Sequence, residues 1–200
     1  NATARQWYGD FLYATGRLDE SIVELQRAAD LDPYSPVMRN DLGATLGIAG
    51  RWAEGLREME RAVELDSSLI WARGNLAVAL ARQGHLDSAE KLAAEAGEFA
   101  PYARIMILLG AKRFEEAADL GRGLTASRPE AFNSDVFIVG YAARMNADST
   151  IYWLNRAVDL RDGFLFAPSI PCHPLFEFIQ NDRRFIATLT RMKVRRCSRS

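Results

Sequence analysis

The sequence predicts an all-α chain, a solenoid of stacked helical hairpins, and three observations carry that reading. A segment recurs: "GRLDESIVELQRAADLDP" at 16–33 returns as "GRWAEGLREMERAVELDS" at 50–67 and as "GHLDSAEKLAAEAGEFAP" at 84–101. Its spacing is constant, because the opening residues Gly16, Gly50 and Gly84 lie 34 positions apart. Within a copy the apolar residues fall at three- and four-residue steps, as at Leu18, Ile22, Leu25 and Ala29, the period of a helix with one buried face. A single unit of this kind cannot bury its apolar face alone, so copies must stack into a continuous core.

Each element follows in order. The stretch before Gly16 is the first helix of the first unit, because its landmarks repeat downstream: Arg5, Arg39 and Arg73, then Leu12, Leu46 and Leu80, fall in register. Gly9 and Gly43 match, with Ala77 in the third copy. Glycine near residue 16 ends this helix, and Leu31-Asp32-Pro33 ends the second one, which carries the small residue of the register Ala28, Ala62 and Ala96. The second and third units repeat this plan. A fourth pair begins with a short helix from about Tyr102 to Leu109 and continues in "KRFEEAADLGRGLTASRP". The fifth comprises "EAFNSDVFIVGYAARM" and "STIYWLNRAVDL", whose Ala157-Val158-Asp159-Leu160 echoes Ala62-Val63-Glu64-Leu65. Beyond Leu160 the pattern stops, and an aromatic, proline-rich segment leads into a helix from about Asp182 to Met192. An end repeat lacks a neighbour and needs a cap. Phe164, Phe166, Phe176, Phe178 and Phe185 are placed to supply it. The chain thus divides into an array at 1–162 (regular repeats at 2–101, degenerate ones at 102–162), a cap at 163–193 and a basic tail at 194–200.

Period, residue size and position together resemble the tetratricopeptide repeat, or TPR, family. Its Leu-Gly pair survives as Leu42-Gly43, and weakened as Tyr8-Gly9 and Leu76-Ala77; its opening Trp is replaced by Arg5, Arg39 and Arg73. The tail "HPLFEFIQNDRRFIATLTRM" is similar to the ending of helical repeat domains in bacterial signalling proteins that carry a kinase, cyclase or winged-helix region, although Arg183 stands where that family has proline. The resemblance implies a right-handed superhelix of about five repeats whose first helices line a concave groove. Carried over residue by residue, the partner-binding groove comprises Gln6, Asp10, Tyr13, Asn40, Asp41, Trp71, Asn75, Val78 and Arg82, with Thr3, Val37 and Ala44 beside them. Trp71 is the groove residue that stands out, either as an open anchor, since a large aromatic is the usual hot spot of an interface, or as a residue packed against the neighbouring repeat. The lysine–asparagine–arginine clamp by which one TPR subclass holds a C-terminal carboxylate is absent, and Asp10 and Asp41 would repel such a group. The recurring arginines suit a structural ladder, with Asp30 and Glu64 of the preceding helix as expected partners.

Composition narrows the function classes. The formal net charge is -1, but 191–200 holds five basic residues and no acidic one, which leaves -6 on the remainder. No apolar run reaches the roughly 18 residues of a membrane span, and no charged-then-apolar leader opens the chain. Two cysteines make no disulfide framework. Catalysis finds little footing: the glycines lack a preceding strand and a Walker-type lysine, and His85 sits in an inter-helix turn. Cys172-His173 is the one pairing that hints at metal or thiol chemistry, and it falls short of a zinc ligand set. The expectation is therefore a noncatalytic protein-interaction scaffold without metal or cofactor, the C-terminal sensory or regulatory module of a bacterial signalling protein. Its partner is a protein or peptide rather than nucleic acid. Its compartment would be the cytoplasm, or the periplasm if a membrane span precedes it. The alternative is an adaptor that meets nucleic acid or a membrane surface through the basic tail.

Overall fold

A recurring turn sets the architecture. Gly16, Gly50 and Gly84 each take a left-handed backbone, with φ of 74°, 85° and 88°, which side-chain-bearing residues rarely adopt. The amide of the next residue then folds back on the helix it leaves: Arg17 to the Leu12 carbonyl at 2.9 Å, Arg51 to Leu46 at 2.8 Å and His85 to Leu80 at 3.0 Å. This closure satisfies carbonyls that the helix end would otherwise leave open. A computed structural model describes residues 1–127, 134–160 and 174–194. Among them it has eleven α-helices and no strand. The all-α hairpin array read from the sequence is the fold.

The chain forms two compact units, one of residues 1–13 and 17–111, the other of 14–16 and 112–200. The first holds α1 (Ala2–Ala14), α2 (Leu18–Leu31), α3 (Pro36–Ile48), α4 (Trp52–Leu65), α5 (Ile70–Arg82), α6 (Leu86–Ala94) and α7 (Ala100–Gly110). Small residues let the paired helices close. A Cβ on Gly43 would stand 2.9 Å from the Gly55 carbonyl oxygen, and one on Gly55 would stand 2.6 Å from that of Gly43. In the first hairpin the matching positions are Gly9 and Ser21, whose hydroxyl donates to the Gly9 carbonyl at 2.8 Å. In the third they are Ala77 and Ala89, both fully buried. Ala28, Ala62 and Ala96 are likewise fully buried, as their register predicts. Between hairpins, Ile22, Leu25, Ala28 and Ala29 of α2 pack with Met38, Leu42 and Leu46 of α3, and Met59 of α4 packs with Leu76 and Ala79 of α5.

Two details depart from the expectation. The helix α6 has nine residues where α2 and α4 have fourteen. It gives way at Gly97 (φ 56°) to a 3-10 segment, Gly97–Phe99. Phe99 then turns onto α5, so close that a Cβ on Gly74 would meet its ring at 2.0 Å. The arginine ladder exists, but Asp30 and Glu64 are not its partners. Arg5 pairs with Glu24 at 2.6 Å and Arg39 with Glu58 at 2.8 Å, while Arg73 donates to the Glu95 carbonyl at 3.1 Å. Each arginine reaches the second helix or the segment just after it in its own hairpin; Asp30 instead accepts from Gln26, and Glu64 pairs with Arg61.

The second unit holds α8 (Phe114–Ser127), α9 (Ser134–Ala143), α10 (Ala147–Leu160), a 3-10 segment (Pro174–Ile179) and α11 (Arg183–Arg191). Its helix starts reuse the devices of the first. Arg113 grips Glu116 at 2.6 Å just as Arg17 and Arg51 each grip Glu20 and Glu54 at 2.7 Å, which also sets a carboxylate in the first turn of α8, α2 and α4. Asp182 caps α11 by accepting from the Arg184 amide at 2.8 Å, so the helix begins at Arg183 without a proline there. Two side-chain bonds to that cap hold the Asp182 carboxyl down at about 2. Phe176 and Phe185 are buried and stack with centroids 6.1 Å apart, while Phe178 is half-buried. Phe164 and Phe166 lie outside the described residues. The helix α11 is fastened to α10 by the bond of Asn155 to the Thr188 hydroxyl at 2.8 Å and by Arg191 pairing with Asp159.

Candidate interaction face

The first helices of the hairpins are joined to one another by side-chain amides. Gln6 on α1 donates its Nε2 to Asp41 Oδ2 on α3 at 2.7 Å. On α3, Asn40 donates to the other carboxylate oxygen of Asp41 at 3.3 Å, and it accepts from Asn75 Nδ2 on α5 at 3.1 Å. The rungs are 35 residues long, one more than the repeat, because each runs from one position to its neighbour in the next hairpin. Thr45 bonds the Asp41 carbonyl at 2.8 Å, which fixes the local helix. Asp41 is thus half-buried on amide donors with no cation against it. Burial pushes its carboxyl above the ordinary range, although the bonds from Gln6 and Asn40 pull the other way. Asp10 lies beside it. Burial first, and the Asp41 carboxyl second, push Asp10 up to about 6.

Of the nine residues read from the sequence as groove-lining, the structure brings five into this cluster: Gln6, Asp10, Asn40, Asp41 and Asn75. The others are placed separately. Trp71 is half-buried near the start of α5, between the open anchor and the packed residue that the sequence left as alternatives; Val78 is buried. Arg82 is exposed and lies over the Trp52 ring, 5.1 Å from its centroid. Trp52 in turn fills the space beside Gly47, where a Cβ would meet it at 2.8 Å. Tyr13 is half-buried; Tyr102 of α7 has a phenol raised above its ordinary value by burial, with Tyr13 adding to the effect. The amide rungs were not anticipated, yet the 35-residue spacing of Gln6 to Asp41 and Asn40 to Asn75 was readable. The Trp52–Arg82 pair had no sequence signal beyond the small residue opposite the indole.

Among the described residues no three His, Cys, Asp or Glu side chains converge as a metal site would require. Cys172 and His173 lie outside those residues, as does the tail from 195 onward. Arg191, the first cation of the basic stretch, is engaged by Asp159 and Asn155. No helix is long and apolar enough, among the described residues, to cross a membrane.

Residues 69–96 match the tetratricopeptide repeat family. That span covers α5 and α6, the hairpin carrying Asn75. The crystal structure of yeast Tom70 is similar in fold, with a TM-score of 0.45 and 15% identity. The likeness extends over 98% of this chain and 52% of that one, so the chain spans about half the length of that structure. No curated protein matches the chain.

Proposed function

We propose that the chain is a noncatalytic scaffold that binds a protein or peptide across α1, α3 and α5. The observation that carries this reading is the amide-linked cluster running from Gln6 to Asn75. It is a polar face continuous over three hairpins, partly open, and spanned by side chains that the apolar core does not use. Fixed polar groups on a rigid framework select among partners by complementarity rather than by area. Asp10 and Asp41 disfavour a partner presenting a carboxylate there, in keeping with the absent clamp. The tetratricopeptide match over 69–96 supports the interaction role. By its tail the chain would serve as the C-terminal sensory or regulatory module of a bacterial signalling protein, and a kinase, cyclase or winged-helix sequence encoded upstream of Asn1 would test that context.

The binding test is a titration of the partner recovered from the source cell. Tyr13→Ala, Trp71→Ala and Asn75→Ala are compared with Glu60→Ala, a control on the exposed side of α4. Loss of an anchor costs roughly 2 kcal/mol, about thirtyfold in affinity, while a peripheral residue changes little. Equal affinity for all four, with matched melting, would remove the first-helix face as the binding surface.

A further inference from the structure

The cations and the carboxylates of the first helices face different ways. Arg5, Arg39 and Arg73 turn toward the second half of their own hairpins, where they meet Glu24, Glu58 and the Glu95 carbonyl. Arg82, the remaining cation of α5, lies over the Trp52 ring. The acidic residues of α1, α3 and α5 are Asp10 and Asp41 alone, and both stand where the amide rungs cross. Their charges are close enough to oppose each other. The charged groups of α2, packed against α1, are engaged elsewhere. Glu20 is held by Arg17, Glu24 by Arg5 and Arg27, and Asp30 by Gln26, while Asp19 lies toward Arg51. Tyr13, one turn along α1, is the other titratable side chain beside Asp10.

The two carboxylates are not equivalent. Asp41 accepts through both oxygens, from Gln6 at 2.7 Å and from Asn40 at 3.3 Å. Asp10 is half-buried, yet among the described residues no donor and no cation meets its carboxyl. A carboxylate drawn partly out of water without a donor weakens the fold that holds it. The repeat has an apolar solution for this position, since Ala44 and Val78 occupy it in the next two copies. Asp10 is therefore a group that the packing of the array does not require.

We propose that Asp10 and Asp41 form the subsite for a basic side chain, the ammonium or guanidinium of a lysine or arginine on the peptide that occupies this face. The inference rests on α1, α3 and α5 being the binding face, and adds the chemistry of what binds there. One positive charge with several N–H donors supplies what Asp10 lacks and relieves the repulsion between the two carboxylates. Partial burial shields the attraction from salt better than an open surface does. The same geometry links binding to protons. Burial and the Asp41 carboxyl hold Asp10 up to about 6, so below that pH the pair presents one charge fewer. A basic side chain binds more tightly as pH rises through that value, and once bound it draws the Asp10 midpoint down.

A random peptide library displayed on phage and panned against the full chain supplies the probes. Peptides whose affinity falls for Trp71→Ala and Asn75→Ala, but not for Glu60→Ala, occupy the face and support the reading beneath this one. Each should carry a lysine or arginine whose replacement by alanine weakens binding about tenfold. That loss should vanish in Asp10→Asn, which keeps the shape of the side chain without its charge. It should persist in Glu60→Gln, the same change of charge on the exposed side of α4. Wild type should bind these peptides more tightly at about pH 7 than at about pH 5, and Asp10→Asn equally at both. Face-binding peptides without a basic residue, or with one whose contribution is the same in wild type and Asp10→Asn, would overturn the subsite and leave the binding face standing. Peptides indifferent to both Trp71→Ala and Asn75→Ala would remove the face, and the subsite with it.

Discussion

Asp10 holds its proton up to about pH 6, because burial and the Asp41 carboxyl both oppose its charge. In the unfolded chain the same group titrates near 3.8. Between those values the folded state binds more protons than the unfolded one, so this group's contribution falls as pH rises through that window and is lost above it. Asp10→Asn keeps a neutral side chain of the same shape at every pH. It should stabilise the protein near neutral pH by about 1–2 kcal/mol after allowance for solvent screening, and flatten the slope between about pH 4 and pH 6. Urea midpoints at several pH values measure both effects; a variant that tracks wild type throughout would mean the carboxylate is fully solvated. A second single-residue effect is set by backbone. Met145 and Lys112 take positive φ of 52° and 59° at the ends of α9 and α7, the role that Gly16, Gly50 and Gly84 fill elsewhere. Met145 is exposed, so Met145→Gly gives up little packing and should raise stability by about 0.5–1 kcal/mol, read from the thermal midpoint. An unchanged or lower midpoint would show that the side chain matters more than the turn.

At the level of the helix, the small residue that recurs at Ala28, Ala62 and Ala96 is the most exacting feature. Ala62 is fully buried, and Ala62→Leu should overpack α4 and cost about 1–3 kcal/mol, seen as a lower denaturant midpoint with an unchanged slope. Such positions were legible because chemistry repeats where geometry repeats: Gly16, Gly50 and Gly84 announced their turns, and Ala28, Ala62 and Ala96 their burial. The arginine ladder was half legible. Its partners were sought in the preceding helix, although Glu24 and Glu58 also stand 34 residues apart and carry the register themselves. The third copy has Leu92 at that position, which leaves Arg73 a backbone carbonyl instead. The shortening of α6 was not legible, since "KLAAEA" favours a helix and only Gly97 argues against one. What redirects the chain there is tertiary, the seating of Phe99 on Gly74. Trp71, half-buried, shows a related limit: register says which helix face a residue shares, not how deeply its neighbours cover it.

Across the whole molecule, end effects dominate, because an array is held by its neighbours. Ending the chain before Asp182 would remove α11 and with it Phe185, the Thr188 hydroxyl bonded to Asn155, and the ion pairs of Arg184 with Asp148 and Arg191 with Asp159. Amide hydrogen exchange in α10 should then speed up strongly, while α3 and α4 keep their protection. Undiminished protection of α10 would show that α11 is an appendage. The crossing of paired helices carries a different implication, about descent. Gly9 with Ser21, Gly43 with Gly55 and Ala77 with Ala89 solve one steric problem three ways, each by two residues on different helices. A duplicated gene segment therefore inherits positions whose mutations are not independent: enlargement on one helix is tolerated only if the facing residue answers it. Recombination that exchanges one helix between copies would join mismatched partners, whereas exchange of a complete hairpin preserves a working pair. The hairpin, rather than the helix, is the piece that a lineage can shuffle, multiply or lose.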